Sequence, residues 1–223
     1  TVWGVGGSVS PFRRAGGSPW NAAVSNDGPH PKAPRPKTRV PGRHPLPPRE
    51  KRRGLVIVNT GNGKGKTTAA LGVLLRATGL GMKVGMFQFI KSPDEKRGEH
   101  HGAEMLGVEI TPLGAGFTWL SENLEHDRLL AREAWSRCCA AVESAEYDVL
   151  IFDELTYALT YDWLSHEEIV RVLDDRPEGT HVIITGRDAT PELIEYADLV
   201  TEMKEIKHPY TTQGIGAQPG IEL

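Results

Sequence analysis

Apolar positions along the chain fall into short runs separated by polar stretches, and their period changes from run to run. Residues 55–58 form a continuous apolar, β-branched run, the pattern of a strand covered on both faces. Ala69, Ala70, Leu71, Leu74 and Leu75 then follow as helix formers, until Gly79 and Gly81 stop the helix. Residues 83–90, 108–113, 148–153, 181–185 and 199–203 read as five further strands. Residues 124–144 form a long amphipathic helix with Leu124, Leu129, Leu130, Trp135, Cys138 and Val142 near one stripe. Ser165 and Glu168 make a capping box for a helix running through Leu173. Thr190–Pro191 supplies an N-cap and a first-turn proline for another. Strands and helices alternate without internal repeats. The pattern predicts an α/β fold, a mostly parallel sheet of about six strands flanked by helices.

The first 53 residues stand outside this pattern. They hold 10 of the 16 prolines and no periodic apolar positions, so they read as a Pro/Gly-rich arm, disordered or polyproline-like. Charge divides at the same place. Residues 1–53 carry 11 Lys+Arg against 2 Asp+Glu, a net of +9, which leaves 15 against 27, a net of −12, for residues 54–223. The overall −3 therefore conceals a basic arm on an acidic globule. The arm's basic groups are scattered among prolines and glycines instead of lying on one helical face, which favours solvation over nucleic-acid binding. The boundaries expected are an arm over 1–53 and one domain over 54–223, ending in a polar, Gly-rich tail over 207–223. The two cysteines, Cys138 and Cys139, are adjacent, which excludes a disulfide framework and points to a reduced, cytoplasmic protein. No apolar run approaches the roughly 20 residues that span a bilayer, so no membrane association is expected. The N-terminal residues lack the apolar centre of a secretory signal.

Candidate chemistry concentrates behind the first strand. Gly61, Gly63 and Gly65 alternate with Asn62 and Lys64 and lead into Lys66-Thr67-Thr68. Glycines there let backbone N–H groups wrap phosphate oxygens, and the helix that follows adds its positive end. Lys66 can reach terminal phosphates and Thr67 can place a hydroxyl on Mg²⁺. The loop departs from G-x-x-x-x-G-K-[ST] by having Thr60 where glycine is expected. The strand over 148–153 ends on Asp153-Glu154, the carboxylates such a loop needs opposite a metal–triphosphate. Phe117 and Trp119 sit behind Gly114 and Gly116 after the third strand, where ligand crevices form in parallel sheets. Glu99, His100, His101 and Glu104 invite a zinc reading, but only His100 and Glu104 would share a helical face, and a solvated loop entering a short helix fits better. Residue types alone point to a nucleoside triphosphate site and leave open a small-molecule kinase or ATPase and a non-catalytic nucleotide-gated nucleic-acid-binding module.

Taken together, Thr60-Gly-Asn-Gly-Lys-Gly-Lys-Thr-Thr-Ala-Ala, Gly114-Ala-Gly-Phe-Thr-Trp, Asp153-Glu-Leu-Thr-Tyr, Val182-Ile-Ile-Thr-Gly-Arg and Ala217-Gln-Pro-Gly-Ile-Glu resemble the corrinoid adenosyltransferases of the CobA/CobO/BtuR type. The resemblance runs from about Arg52 to the end, and in that family Thr precedes Gly-Asn-Gly-Lys-Gly-Lys. It implies a P-loop (RecA-like) fold and ATP and a reduced corrinoid as substrates. Co(I) attacks C5′ of ATP and expels triphosphate, with Mg²⁺ (or Mn²⁺) assisting. It further implies that Lys66, Thr67, Phe117, Trp119 and Glu154 act in catalysis. Gly61, Asn62, Gly63, Lys64, Gly65, Lys66, Thr67, Thr68, Arg76 and Arg187 would bind the nucleotide, and Thr67, Asp153 and Glu154 the metal. Phe117 and Trp119 would be the wedge that displaces the lower axial ligand of Co(II). A flavoprotein-type reductant and a homodimer are the partners implied. Two stretches depart from the family pattern: the arm before the first strand, which is usually helical and charged, and Gly216, where lysine usually precedes Ala-Gln.

Overall fold

A computed structural model describes residues 47–48, 51–94, 96–114, 116 and 124–222, and the site is built from these. Six parallel strands form one sheet in the order β3-β2-β4-β5-β1-β6. They are β1 (Val56–Thr60), β2 (Val84–Gln88), β3 (Ile110–Pro112), β4 (Val149–Asp153), β5 (His181–Thr185) and β6 (Leu199–Glu202). The helices are α1 (Lys66–Gly79), α2 (Gly98–Met105), α3 (Leu124–Glu143), α4 (Thr156–Thr160), α5 (His166–Asp174), α6 (Pro191–Tyr196) and α7 (Pro209–Gln213). This is the parallel α/β arrangement that the alternation of strands and helices predicts, with every strand pairing parallel.

Alternate residues of each central strand face opposite layers, as a period of two requires. Leu150 and Phe152 of β4 join the layer containing α3, α5 and α6, whereas Val149 and Ile151 join the layer containing α1 and α2. Phe152 is fully buried between Phe87, with ring centroids 6.3 Å apart, and Trp135, 6.0 Å away and nearly perpendicular. Both faces of β2, β4 and β5 are covered, which is why their sequences read as near-continuous apolar runs.

Helix α3 keeps the second half of the expected stripe, since Trp135, Cys138 and Val142 are buried, and corrects the first: Leu124 and Leu129 are exposed, and Asp127, Ala131, Ala134 and Ala141 complete the buried face. Small alanines let the helix lie close on the sheet, and Trp135 alone fills the depth against Phe152. The short helix expected after the polar loop is α2, which begins at Gly98, while two further short helices exceed the sequence reading: α4 follows β4 directly, and α7 lies within the tail. Strand β1 runs two residues further than its apolar run, because Asn59 pairs with Thr185 of β5 and Thr201 of β6, and Thr60 pairs with Glu202 of β6.

Candidate active site at the carboxyl edge of the sheet

The loops after β1, β4 and β5 come together because β5 lies between β1 and β4. The loop after β1 is shaped by contact with the end of β6. The Gly63 amide donates to the Met203 carbonyl at 2.6 Å, and a Cβ on Gly61 or Gly63 would stand 2.5 or 2.7 Å from that oxygen. Gly61 also has φ 95°, in the left-handed region. Thr60, the residue that breaks the general template, has a structural role: its hydroxyl accepts the Ala189 amide at 3.1 Å, tying the loop after β1 to the loop after β5.

Lys66 opens α1 with its side chain turned back into the loop, where Nζ donates to the carbonyls of Gly61 (2.7 Å) and Gly63 (2.9 Å). Burial pulls its ammonium below the ordinary lysine value, and Glu154 opposes that pull. The Thr67 hydroxyl donates to Asp153 Oδ1 at 2.9 Å, and Thr185 donates to the same oxygen at 2.7 Å. Gln88 Nε2 reaches Asp153 Oδ2 at 3.0 Å. Asp153 is fully buried, and its neighbours orient it completely. Directing its proton at Asp153 leaves the Thr67 oxygen's lone pairs free to meet a cation.

Glu154 differs from its neighbour in every respect. Its backbone has φ 62°, a left-handed conformation that costs about 1 kcal/mol for a residue with a Cβ. Its amide donates to Thr185 Oγ1 at 3.0 Å, yet its buried Oε2 has no hydrogen-bond partner among the described residues. Burial, reinforced by Asp153, pushes its carboxyl up to about 7, against the opposing charges of Lys66, Lys91 and Arg187. The Thr67 hydroxyl, the Asp153 carboxyl group and the orphaned Glu154 oxygen form an all-oxygen donor set, the kind a hard divalent cation takes. The residues present therefore fit Mg²⁺ or Mn²⁺.

Other residues implied by the resemblance fall at different distances from this centre. Arg187 is exposed, but its charge reaches Lys66, Glu154 and Tyr157. Asn62 is exposed, Thr68 is exposed on α1, and Lys64 pairs at 2.8 Å with Glu222, which brings the tail to the loop. Arg76 stands exposed in the last turn of α1, ten residues and roughly 15 Å along the axis from Lys66, so it is not gathered at the loop. Phe117 and Trp119 lie outside the described residues. The stretch weighed for zinc is dispersed: Glu99 pairs with Lys91 at 2.7 Å, and His100 Nδ1 accepts the Arg97 amide. His101 and Glu104 face each other at the surface, 3.8 Å apart. Gln88, Lys91 and Thr185 were not singled out in the sequence. The only hint they give is a polar residue closing an otherwise apolar strand.

The family model described as ATP:corrinoid adenosyltransferase BtuR/CobO/CobP matches residues 52–223. A corrinoid adenosyltransferase of Escherichia coli K12 is 45% identical over 170 residues, covering 76% of this chain and 86% of that protein. Corrinoid adenosyltransferase CobA of Salmonella typhimurium is 41% identical over 173 residues, with 78% and 87% covered. A corrinoid adenosyltransferase of Pseudomonas aeruginosa is 38% identical over 173 residues, with 77% and 84% covered.

Proposed function

The chain belongs to the ATP:corrinoid adenosyltransferase family and is an enzyme of that activity, and from this premise we propose how its residues divide the work. Co(I) of the corrinoid attacks C5′ of ATP. A cobalt–carbon bond forms as the C5′–O bond breaks, and triphosphate leaves intact. Lys66, the loop amides between Gly61 and Thr68, and the α1 N-terminus stabilise the charge gathering on the departing triphosphate. Lys66 does so by exchanging the carbonyls of Gly61 and Gly63 for phosphate oxygens. Thr67, Asp153 and Glu154 would hold a divalent cation, with Asp153 also orienting Thr67. That cation supplies Lewis-acid stabilisation of the leaving group. Arg187 adds positive charge on the β5 side. Phe117 and Trp119 crowd the lower face of the corrinoid, which favours reduction of Co(II) by a flavoprotein-type reductant. A homodimer in the cytoplasm, without nucleic acid as partner, completes the reading.

The observation that carries this assignment is the meeting of the Lys66 loop with the Thr67–Asp153–Glu154 donor set, a site built to receive a triphosphate and its cation. One feature favours a rival: a Glu154 carboxyl held at about 7 could take a proton from water, as in a P-loop ATPase. Incubation with ATP, Mg²⁺ and reduced corrinoid separates the two. Triphosphate together with a cobalt–carbon bonded product is expected, whereas ADP and phosphate alone would mean that Glu154 acts as a base. In the same assay Phe117→Ala and Trp119→Ala are expected to lose activity on Co(II) corrinoid while keeping most activity on pre-reduced Co(I). Full Co(II)-dependent activity in both variants would remove the wedge role.

A further inference from the structure

Lys91 has no part in the scheme above, yet it stands at the edge of the site. It follows β2, the strand between β4 and β3, and its side chain is 18% exposed. Nζ lies 2.7 Å from Glu99 Oε1 and 3.8 Å from Asp153 Oδ2, so a single cation is shared unevenly between two carboxylates on different elements. Because Asp153 Oδ2 already accepts from Gln88, Lys91 acts on that carboxylate through charge and not through a hydrogen bond. Glu99 lies in the first turn of α2, where the helix end favours a negative charge. Burial works to raise its carboxyl, but the bond to Lys91 prevails and holds it below the usual carboxylate range, so it is ionised at neutral pH.

We propose that Lys91 is a charge-balancing positioning residue for the cation site at Thr67, Asp153 and Glu154, and that Glu99 is the anchor holding Lys91 back from that site. The proposal rests on the cation reading given above. A divalent ion arriving beside Asp153 meets the Lys91 ammonium at close range, and Glu99 gives that ammonium a place to go. Removing Lys91 makes the site more negative and tightens cation binding. Removing the charge of Glu99 frees Lys91 to turn toward Asp153 and compete, which weakens it. The two variants thus move in opposite directions. A salt bridge that merely braced α2 against the end of β2 would move both in the same direction, because each variant loses the same bond.

The test is the gain in ATP affinity on adding Mn²⁺, measured by calorimetry on the full chain without corrinoid. The readout is the ratio of the dissociation constant in EDTA to that in Mn²⁺. Lys91→Met is expected to raise the ratio roughly five- to tenfold and Glu99→Gln to lower it by a similar factor. Lys91→Gln repeats the charge change with a different side chain in case the Met variant folds poorly. The Lys91→Met/Glu99→Gln double variant should be no weaker than wild type. Shifts of the same sign in both single variants, or no shift in either, would overturn the proposal. A wild-type ratio near one would overturn the cation reading and this proposal together. Absence of triphosphate in the product assay, with the opposed shifts intact, would overturn only the assignment of chemistry.

Discussion

The two edges of the sheet carry the same kinds of charged residue and treat them in opposite ways. At the amino edge, Asp148 accepts Arg52 at 2.9 Å and the Lys83 amide at 2.8 Å. Asp198 accepts the Val56 amide at 2.9 Å and Arg53 at 3.1 Å, and the amide bond holds its carboxyl below the usual range. His181 Nδ1 accepts the Leu55 amide at 3.2 Å, and burial, with Arg52 nearby, keeps the ring neutral by lowering its pKa. There, charges begin strands and satisfy backbone groups. At the carboxyl edge Asp153 is equally satisfied, but Glu154 beside it is strained, orphaned at Oε2 and pushed up to about 7. The amino edge spends its polar groups on stability, and the carboxyl edge keeps one in reserve for a ligand.

Substitution at the carboxyl edge should therefore cost activity more than stability. Lys66→Ala is expected to lower turnover by on the order of 10³-fold, since it removes the one ammonium inside the loop. Its Tm should stay within a few degrees of wild type, because the loss of two bonds to the Gly61 and Gly63 carbonyls is offset by removing an ammonium that burial already penalises. A variant that loses its Tm together with its activity would show that Lys66 is a structural residue of the loop, and the contrast between the edges would fail.

Glu154→Gln sharpens the contrast. Activity should fall by roughly 10²-fold, yet the metal-free protein should become more stable at pH 8. The folded carboxyl sits at about 7 and the unfolded one at 4.5, so the folded state holds the proton more tightly. The stability this contributes is complete below pH 4.5 and is lost as pH rises through 7. Above pH 7 wild type then bears the full cost of a buried charge, up to about 3 kcal/mol. His181 gives the opposite slope: its lowered pKa means stability present above 6.5 and lost as pH falls through the folded value. Thermal melts in EDTA at pH 5, 6, 7 and 8 should show wild type flat or falling across this range and Glu154→Gln rising. Identical profiles would mean that Glu154 is not strained by its surroundings.

How much of this the sequence disclosed depends on whether a residue acts along the chain or across it. The strands were legible because burial on both faces demands continuous apolar runs, and the glycine loop because its spacing is local. In α3 the sequence places Trp135, Cys138 and Val142 correctly but overvalues Leu124 and Leu129, because leucines dominate any hydrophobic count whereas closeness to the sheet selects Ala131, Ala134 and Ala141. Gln88 and Lys91 become site residues only because β2 lies beside β4, and no sequence interval expresses that neighbour relation. Thr60 looked like a defect in the loop until Ala189, 129 residues later, supplied its partner. The raised carboxyl of Glu154 comes first from burial, which the pair Asp153-Glu154 does not announce, and only secondly from the neighbouring charge of Asp153, which it does.

The smallest effect expected lies at the amino edge and tests the other half of the contrast. Arg52→Met removes the guanidinium from Asp148 while keeping an apolar stem against the sheet. Both side chains are less than one fifth exposed, so the pair is worth more than a surface ion pair. Asp148 retains the Lys83 amide, and water can replace the exposed bond from Arg52 Nε to the Pro47 carbonyl, so the loss is chiefly that of one charge-assisted bond, about 1–2 kcal/mol, which lowers Tm by roughly 3–6 °C in a domain of this size. His181 loses a neighbouring positive charge, so its pKa should rise toward the ordinary value, and the stability lost as pH falls below 6.5 should be smaller and complete at a higher pH than in wild type. Turnover and the Mn²⁺-dependent gain in ATP affinity should not change, because Arg52 stands at the opposite end of the strands from Lys66 and Asp153. A fall in either would show that charge at the amino edge reaches the site through the length of β4, and the division of the sheet into a stabilising edge and a reacting edge would have to be given up.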